Sequence, residues 1–307
     1  MRLTPTSSCS LLSAVVLGAL VCPLTTARAS IVDVSSPTTS WTGIRYGGAN
    51  GFDPVVDQQT GSAEGDIVGN AQHASVYTSF GDANTPSKTD GDLAFRIRLG
   101  ADVNPTGFKT AAFVGIITNA ASGKIDLFVG VNNSGNADQV GIYGPGAGLN
   151  TSPSTTSITS AIISYTPTAT NYNWSPVNTT IDPTVGPATD IDGGGQNDYF
   201  LTLSVPFSDI VAQLAARGIT GITEDSTFSY VIATSTQGNS LNQDLNGVLG
   251  SVNSSSSWAS LGALSDPTSP VSAVPEVNPA FLVVLLLGIV IGRHTWKQRR
   301  ARISAAR

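Results

Sequence analysis

Cysteine is nearly absent from this chain: among 307 residues there are two, Cys9 and Cys22, both near the N-terminus. A disulfide framework and any thiolate zinc or iron–sulfur site are therefore excluded from the rest of the sequence. Histidine is almost as scarce, with His73 the one copy before the C-terminal tail. A Ser-His-Asp relay would have to use it, and its context, Asn70-Ala71-Gln72-His73-Ala74, carries no nucleophile motif. Positive charge is also missing from the middle. Between Ser30 and Asn278 there are seven basic residues against 21 acidic ones, a net of −14. Such a segment repels nucleic acid and has no basic patch to offset the repulsion.

Both ends differ from the middle. Arg2 opens a polar stretch, an apolar run follows from Leu11 to Val21, and Ala27-Arg28-Ala29 closes it with small residues. This is the order of a secretory leader, and cleavage by signal peptidase is expected after Ala29. The apolar core is too short for a membrane span, which needs about 20 residues. Cys22 stands where a lipidated cysteine would, but the branched Val21 precedes it. It reads as a leader residue that is discarded.

At the other end, residues 280–292 (AFLVVLLLGIVIG) hold no polar side chain, and Arg293 begins a basic tail, 293–307. As a helix the run spans roughly 20 Å, short of a hydrocarbon layer near 30 Å. The basic end stays cytoplasmic by the positive-inside rule, leaving the rest of the chain outside. Just before the run stand Pro275 and Glu276. A Pro-Glu motif, a short apolar helix and an arginine cluster (Arg293, Arg299, Arg300, Arg302) resemble the PEP-CTERM class of sorting signals. That resemblance implies a Gram-negative bacterium making extracellular polysaccharide, and recognition by an exosortase-type membrane protease. The usual motif has a second proline where Val277 stands. A plain single-span anchor is the competing reading. The expected organisation is a leader (1–29), an extracytoplasmic domain (30–249), a Ser/Pro/Gly linker (250–273) and a sorting signal (274–307). Trp258 and Leu261 interrupt the linker, which leaves room for a last strand or a docking contact out to about Leu264.

The middle alternates. Leu93, Phe95, Ile97 and Leu99 share one face of a strand; so do Ile125, Leu127, Val129 and Val131, and Tyr199, Leu201, Leu203 and Val205. Shorter strands are expected at 75–80, 112–118, 139–143, 160–165 and 228–234. Pro206 to Arg217 places Phe207, Ile210, Val211 and Leu214 on one stripe, with proline at its start and Gly218 after it, which predicts a short helix. The fold expected is a mostly β, antiparallel β-sandwich (jelly-roll or Ig-like) with one short helix. A strand ending in Val205-Pro206 resembles carbohydrate-binding sandwiches of the CBM9/DOMON type.

Three features bear on chemistry. Asp190, Asp192 and Asp198 fall at the first, third and ninth positions of a loop with Gly195 at the sixth, the spacing by which calcium loops converge carboxylates. The fifth and twelfth positions, Gly194 and Leu201, depart from an EF-hand, so the expectation is a looser calcium turn. Asp90-Gly91-Asp92 is a second acidic turn. Tyr172 and Trp174, between amides in a loop-like setting, offer rings on which a sugar face could stack. Glu64, Glu224 and the aspartates supply no spacing that singles out a glycosidase pair. The expectation is a non-enzymatic surface or matrix protein associated with polysaccharide; a carbohydrate-binding module and a polysaccharide hydrolase are the rivals.

Overall fold

The computed structural model describes residues 32–270, apart from 52, 54–55, 60–61, 83–84, 104–106, 135–138, 250–251 and 253. The leader site at Ala27 and Ala29, and the sorting residues Pro275, Glu276, Arg293, Arg299 and Arg300, lie outside the described residues. Within them the chain is mostly β, with antiparallel sheets and two α-helices. The strands are β1 (Thr42–Gly43), β2 (Arg45–Tyr46), β3 (Ala49–Asn50), β4 (Val76–Gly81), β5 (Asp92–Leu99) and β6 (Ala111–Ile117). They continue with β7 (Leu127–Asn132), β8 (Gln139–Pro145), β9 (Ile158–Tyr165), β10 (Tyr172–Pro176), β11 (Tyr199–Pro206) and β12 (Ser229–Ser235). Helix α1 spans Phe207–Ala215 and α2 spans Trp258–Leu261. Among the described residues no helix is long and apolar enough to cross a membrane.

Two five-stranded sheets form, in the orders β1-β4-β5-β11-β10 and β12-β6-β7-β8-β9. The alternating residues do what their period requires. Leu93, Phe95, Ile97 and Leu99 of β5, with Leu201 and Leu203 of β11, meet Val114, Ile116, Leu127 and Val129 from the other sheet in one core. Helix α1 closes an end of that core with Phe207, Ile210 and Leu214. The turn between β6 and β7 runs longer than the alternation suggests, because Asp126 leaves the strand to accept from Thr118 N–H (2.9 Å) and Oγ1 (2.7 Å).

Strands β5, β7 and β11 are not half-buried, as a period of two would have it. In β5 the other face, Ala94, Arg96 and Arg98, is also fully buried. Chain segments cover the outer faces of both sheets. Over the first lie Val32 and Trp41 on one side, and Val177, Ile181 and Val185 on the other. Over the second, Leu241, Leu245, Val252, Trp258 and Ala263 pack on Phe113, Phe128, Tyr143 and Val231. Gly130 leaves room for the Phe113 ring in this second layer: a side chain there would run into Ala112 O and that ring.

The expected flexible linker over 250–273 does not hold for its described part. Trp258 is fully buried, its indole N–H donates to Asn150 O (3.1 Å), and Phe228 and Thr268 exchange backbone hydrogen bonds. Serine-rich composition suggested a tether, but the tryptophan supplies an anchor; removing a buried side chain of that size costs about 3–5 kcal/mol. Folded structure thus runs past residue 249, to Ser269, whose Oγ donates to Glu224 O at 3.1 Å, and the buried Pro270.

Candidate cation sites

Tyr172 and Trp174 do not sit in a loop. They lie two residues apart on β10, opposite Leu203 and Leu201 of β11, and both pack on the core. Trp174 stacks on Tyr199 (centroids 4.9 Å apart, planes at 27°) and leans on Phe108 at 5.4 Å. The amide-flanked pattern is explained by a short edge strand. Each ring is half-buried, with protein rather than solvent against much of its surface.

The aspartates of the 190–198 turn do converge. One carboxylate oxygen from each of Asp190, Asp192 and Asp198 lies within 4.8 Å of the others. All three are already engaged by the protein, Asp192 Oδ1 accepting from Gly194 N–H at 3.0 Å. Gly193 and Gly195 N–H donate to Asp190 Oδ1 (2.8 Å) and Oδ2 (2.9 Å), which ties the glycine turn to its first residue. Asp198 is fully buried and accepts from Arg98 Nε at 2.7 Å. Burial pushes the Asp198 carboxyl up to about 7, against the pull of the Arg98 charge and hydrogen bond. Arg98 also donates to Ala188 O (3.0 Å) and stands 3.6 Å from Asp182. The turn therefore contains a built-in cation, the guanidinium. In the other acidic turn, Thr85 Oγ1 donates to Asp90 Oδ2, and Asp92 opens β5.

A second acidic group was not visible as a motif. Asp53, Asp57 and Asp244 each bring one carboxylate oxygen within 4.8 Å of the others. Asp53 is held where it exchanges backbone hydrogen bonds with Gly69 (3.0 and 2.9 Å). Asp244 sits on the segment that pairs with β12, its backbone accepting from Thr234 N–H at 3.0 Å. Asp66 adjoins them, Oδ1 accepting from Asp57 and Gln58 N–H at 3.3 Å each. Asp53, Asp66 and Asp244 are fully buried. Asp244 accepts from Ile67 N–H (2.5 Å) and Leu245 N–H (2.6 Å); Asp53 Oδ2 accepts from Gly247 N–H at 3.3 Å. Asp53 Oδ1 and the buried Gln58 Oε1 accept no hydrogen bond.

No salt bridge among the described residues reaches Asp53, Asp66 or Asp244. Burial, then the charges of Asp244, Asp57 and Asp66, push the Asp53 carboxyl up to about 10. Burial and Asp244 push Asp66 up to about 8, and burial pushes Asp244 up to about 7. The two groups touch through Asp66 and Asp192, whose Oδ2 atoms both face Gly100; a side chain there would come within 2.8 Å of Asp192 and 3.4 Å of Asp66. In sequence, the one signal was density: four acidic residues between Asp53 and Asp66. Asp244 hides in the amide-rich stretch Thr236–Asn246.

His73 is not a surface residue. It is buried beside Asp182, with Nδ1 3.5 Å from the carboxylate, inside the network that holds Arg98. Glu64 accepts from Lys109 N–H, whereas Glu224 pairs with Lys88 at 2.8 Å. No family model matches the chain, and neither the curated proteins nor the solved structures compared with it gave a match.

Proposed function

We propose that this chain is an exported, non-enzymatic cell-surface or extracellular-matrix protein of a Gram-negative bacterium, sorted by an exosortase-type protease and associated with extracellular polysaccharide. The observation that carries the reading is the order Pro275-Glu276, apolar 280–292, then Arg293, Arg299 and Arg300. An apolar helix too short to span comfortably, with a motif directly outside it, puts a peptide bond within reach of a membrane-edge protease. The two sheets are read as the leaves of an antiparallel β-sandwich of the jelly-roll or Ig-like kind.

The packed C-terminal segment adds a constraint. Thr268 is tied to Phe228, Ser269 Oγ donates to Glu224 O at 3.1 Å and Pro270 is buried, so residues 271–279 separate the described fold from the apolar run. Fully extended, roughly 9 residues reach about 30–32 Å. The domain would be held close to the membrane until the tail is cut. A sugar-stacking module at Tyr172 and Trp174 draws little support from rings that face the core, and His73 beside Asp182 and Arg98 gives a hydrolase reading no nucleophile.

Mass spectrometry of the mature C-terminus, with cell fractionation, tests the proposal. A chain that ends near Glu276 and is found outside the cell is expected. A chain still ending at Arg307 in the inner membrane means a plain anchor. Co-sedimentation with the producer's own polysaccharide tests the association separately.

A further inference from the structure

We propose that Asp53, Asp57 and Asp244 bind one calcium ion, with Asp66 beside them, and that this buried site, rather than the 190–198 turn, ties the 53–66 loop to the 236–247 segment. The inference does not rest on the sorting signal.

The spacing fits. Two oxygens that bind the same calcium at about 2.3–2.6 Å lie at most about 5.2 Å apart, and the three carboxylates meet within 4.8 Å. A second observation points to a ligand. Asp53 is wholly buried, and its Oδ1 accepts no hydrogen bond; Gln58 Oε1 is likewise buried without a donor. A buried carboxylate needs a partner or a counter-charge. Donors to Asp53, Asp66 and Asp244 are backbone N–H groups, and the charges that act on Asp53 are other carboxylates. The donor set is entirely oxygen, which selects a hard cation. Three or four carboxylates drawn from separate loops suit calcium, which accepts irregular cages; magnesium demands a near-ideal octahedron and is held through one or two carboxylates.

The surroundings serve the site. Thr234 Oγ1 donates to Gly65 O, and Gln59 N–H donates to Gln243 O at 2.9 Å, so the loop and the segment are already in contact. Ser75 Oγ donates to Asn246 Oδ1 (2.6 Å), and Asn246 Nδ2 to Tyr46 Oη (2.6 Å), which fixes the chain two residues beyond Asp244. A cation here would join two segments far apart in sequence.

The test uses the full chain in mild detergent, stripped with EDTA, dialysed, and titrated with calcium chloride in a calorimeter while parallel samples are melted. One calcium per chain is expected, with a melting temperature raised by roughly 5–10 °C when calcium stands at 100 times its Kd. Asp53→Asn and Asp244→Asn are each expected to weaken binding at least ~10-fold. In EDTA Asp53→Asn should melt no lower than the parent, because it keeps an acceptor for the Gly247 N–H and removes a buried carboxyl that is costly to ionise. Asp244→Asn gives up one of two backbone hydrogen bonds and should melt slightly lower. Asp57→Asn, in a half-buried side chain, provides the same reading if the buried variants do not fold. No calcium binding up to about 10 mM, or an affinity unchanged in all three variants, overturns the site. An equal shift from magnesium at equal concentration overturns its assignment to calcium.

Discussion

Two groups of aspartates stand side by side in this fold, and their charge is met in different ways. In the 190–198 turn, Asp198 lies against Arg98, and Asp190 is wrapped by the amides of Gly193 and Gly195. In the Asp53, Asp57 and Asp244 group, next to Asp66, carboxylates face carboxylates. The first group has the sequence spacing of a calcium loop but carries its own cation. The second has no such spacing, and no salt bridge among the described residues reaches Asp53, Asp66 or Asp244. What marks a cation site is therefore uncompensated buried charge, which becomes visible only once distant residues are brought together.

The largest effect that would sharpen this contrast is expected at Arg98. Arg98→Ala would leave Asp198 buried without its partner and remove the charge facing Asp182, a loss of about 3–5 kcal/mol. Urea denaturation in EDTA and again in calcium should show the same loss, because the guanidinium is carried by β5 and stays against Asp198 whatever the solution holds. If calcium restores the stability of Arg98→Ala, the arginine stands where a cation also fits, and the two groups are alike after all.

Calcium itself should act on the other group. With the ion at 100 times its Kd, the parent chain gains about 2.7 kcal/mol over its EDTA form. In Asp53→Asn, whose calcium Kd is expected to rise at least ~10-fold, the gap at the same calcium concentration should fall to about 1.4 kcal/mol or less. A variant equally destabilised in both conditions would mean that Asp53 matters for its hydrogen bond from Gly247, not for a cation.

The same contrast explains what could be read from the sequence. Alternation over 92–99 and 198–205 located β5 and β11 to within a residue, because a period of two reports one face reliably. It said nothing of what covers the opposite face. Arg96 and Arg98 looked like solvent-facing residues, yet Trp41 lies 4.3 Å from the Arg96 guanidinium, and Asp198 holds Arg98. Trp258, in a serine-rich stretch, was composition against a single anchor, and the anchor won. β10 was missed because five residues ending in proline carry too little pattern. Asp190, Asp192 and Asp198 were legible because nine residues contain all three. Asp53 and Asp244 belong to no local pattern, and only the pairing of β12 with the 243–246 segment brings them together.

The smallest effect is the most discriminating. Asp190→Asn keeps one acceptor for the Gly193 or Gly195 N–H and gives up the other, a cost of about 0.5–1.5 kcal/mol. Its calcium-induced melting shift should match that of the parent chain. The reason it could fail lies in the join between the groups: Asp192 faces Asp66 across Gly100, and Asp190 holds the turn that presents Asp192. If Asp190→Asn diminishes the calcium response as much as Asp53→Asn does, the carboxylates from Asp53 to Asp198 form a single site, with Asp66 and Asp192 as its bridge. If the response is unchanged, the turn is a structural neighbour closed by its own arginine, and the cation belongs to the buried group alone.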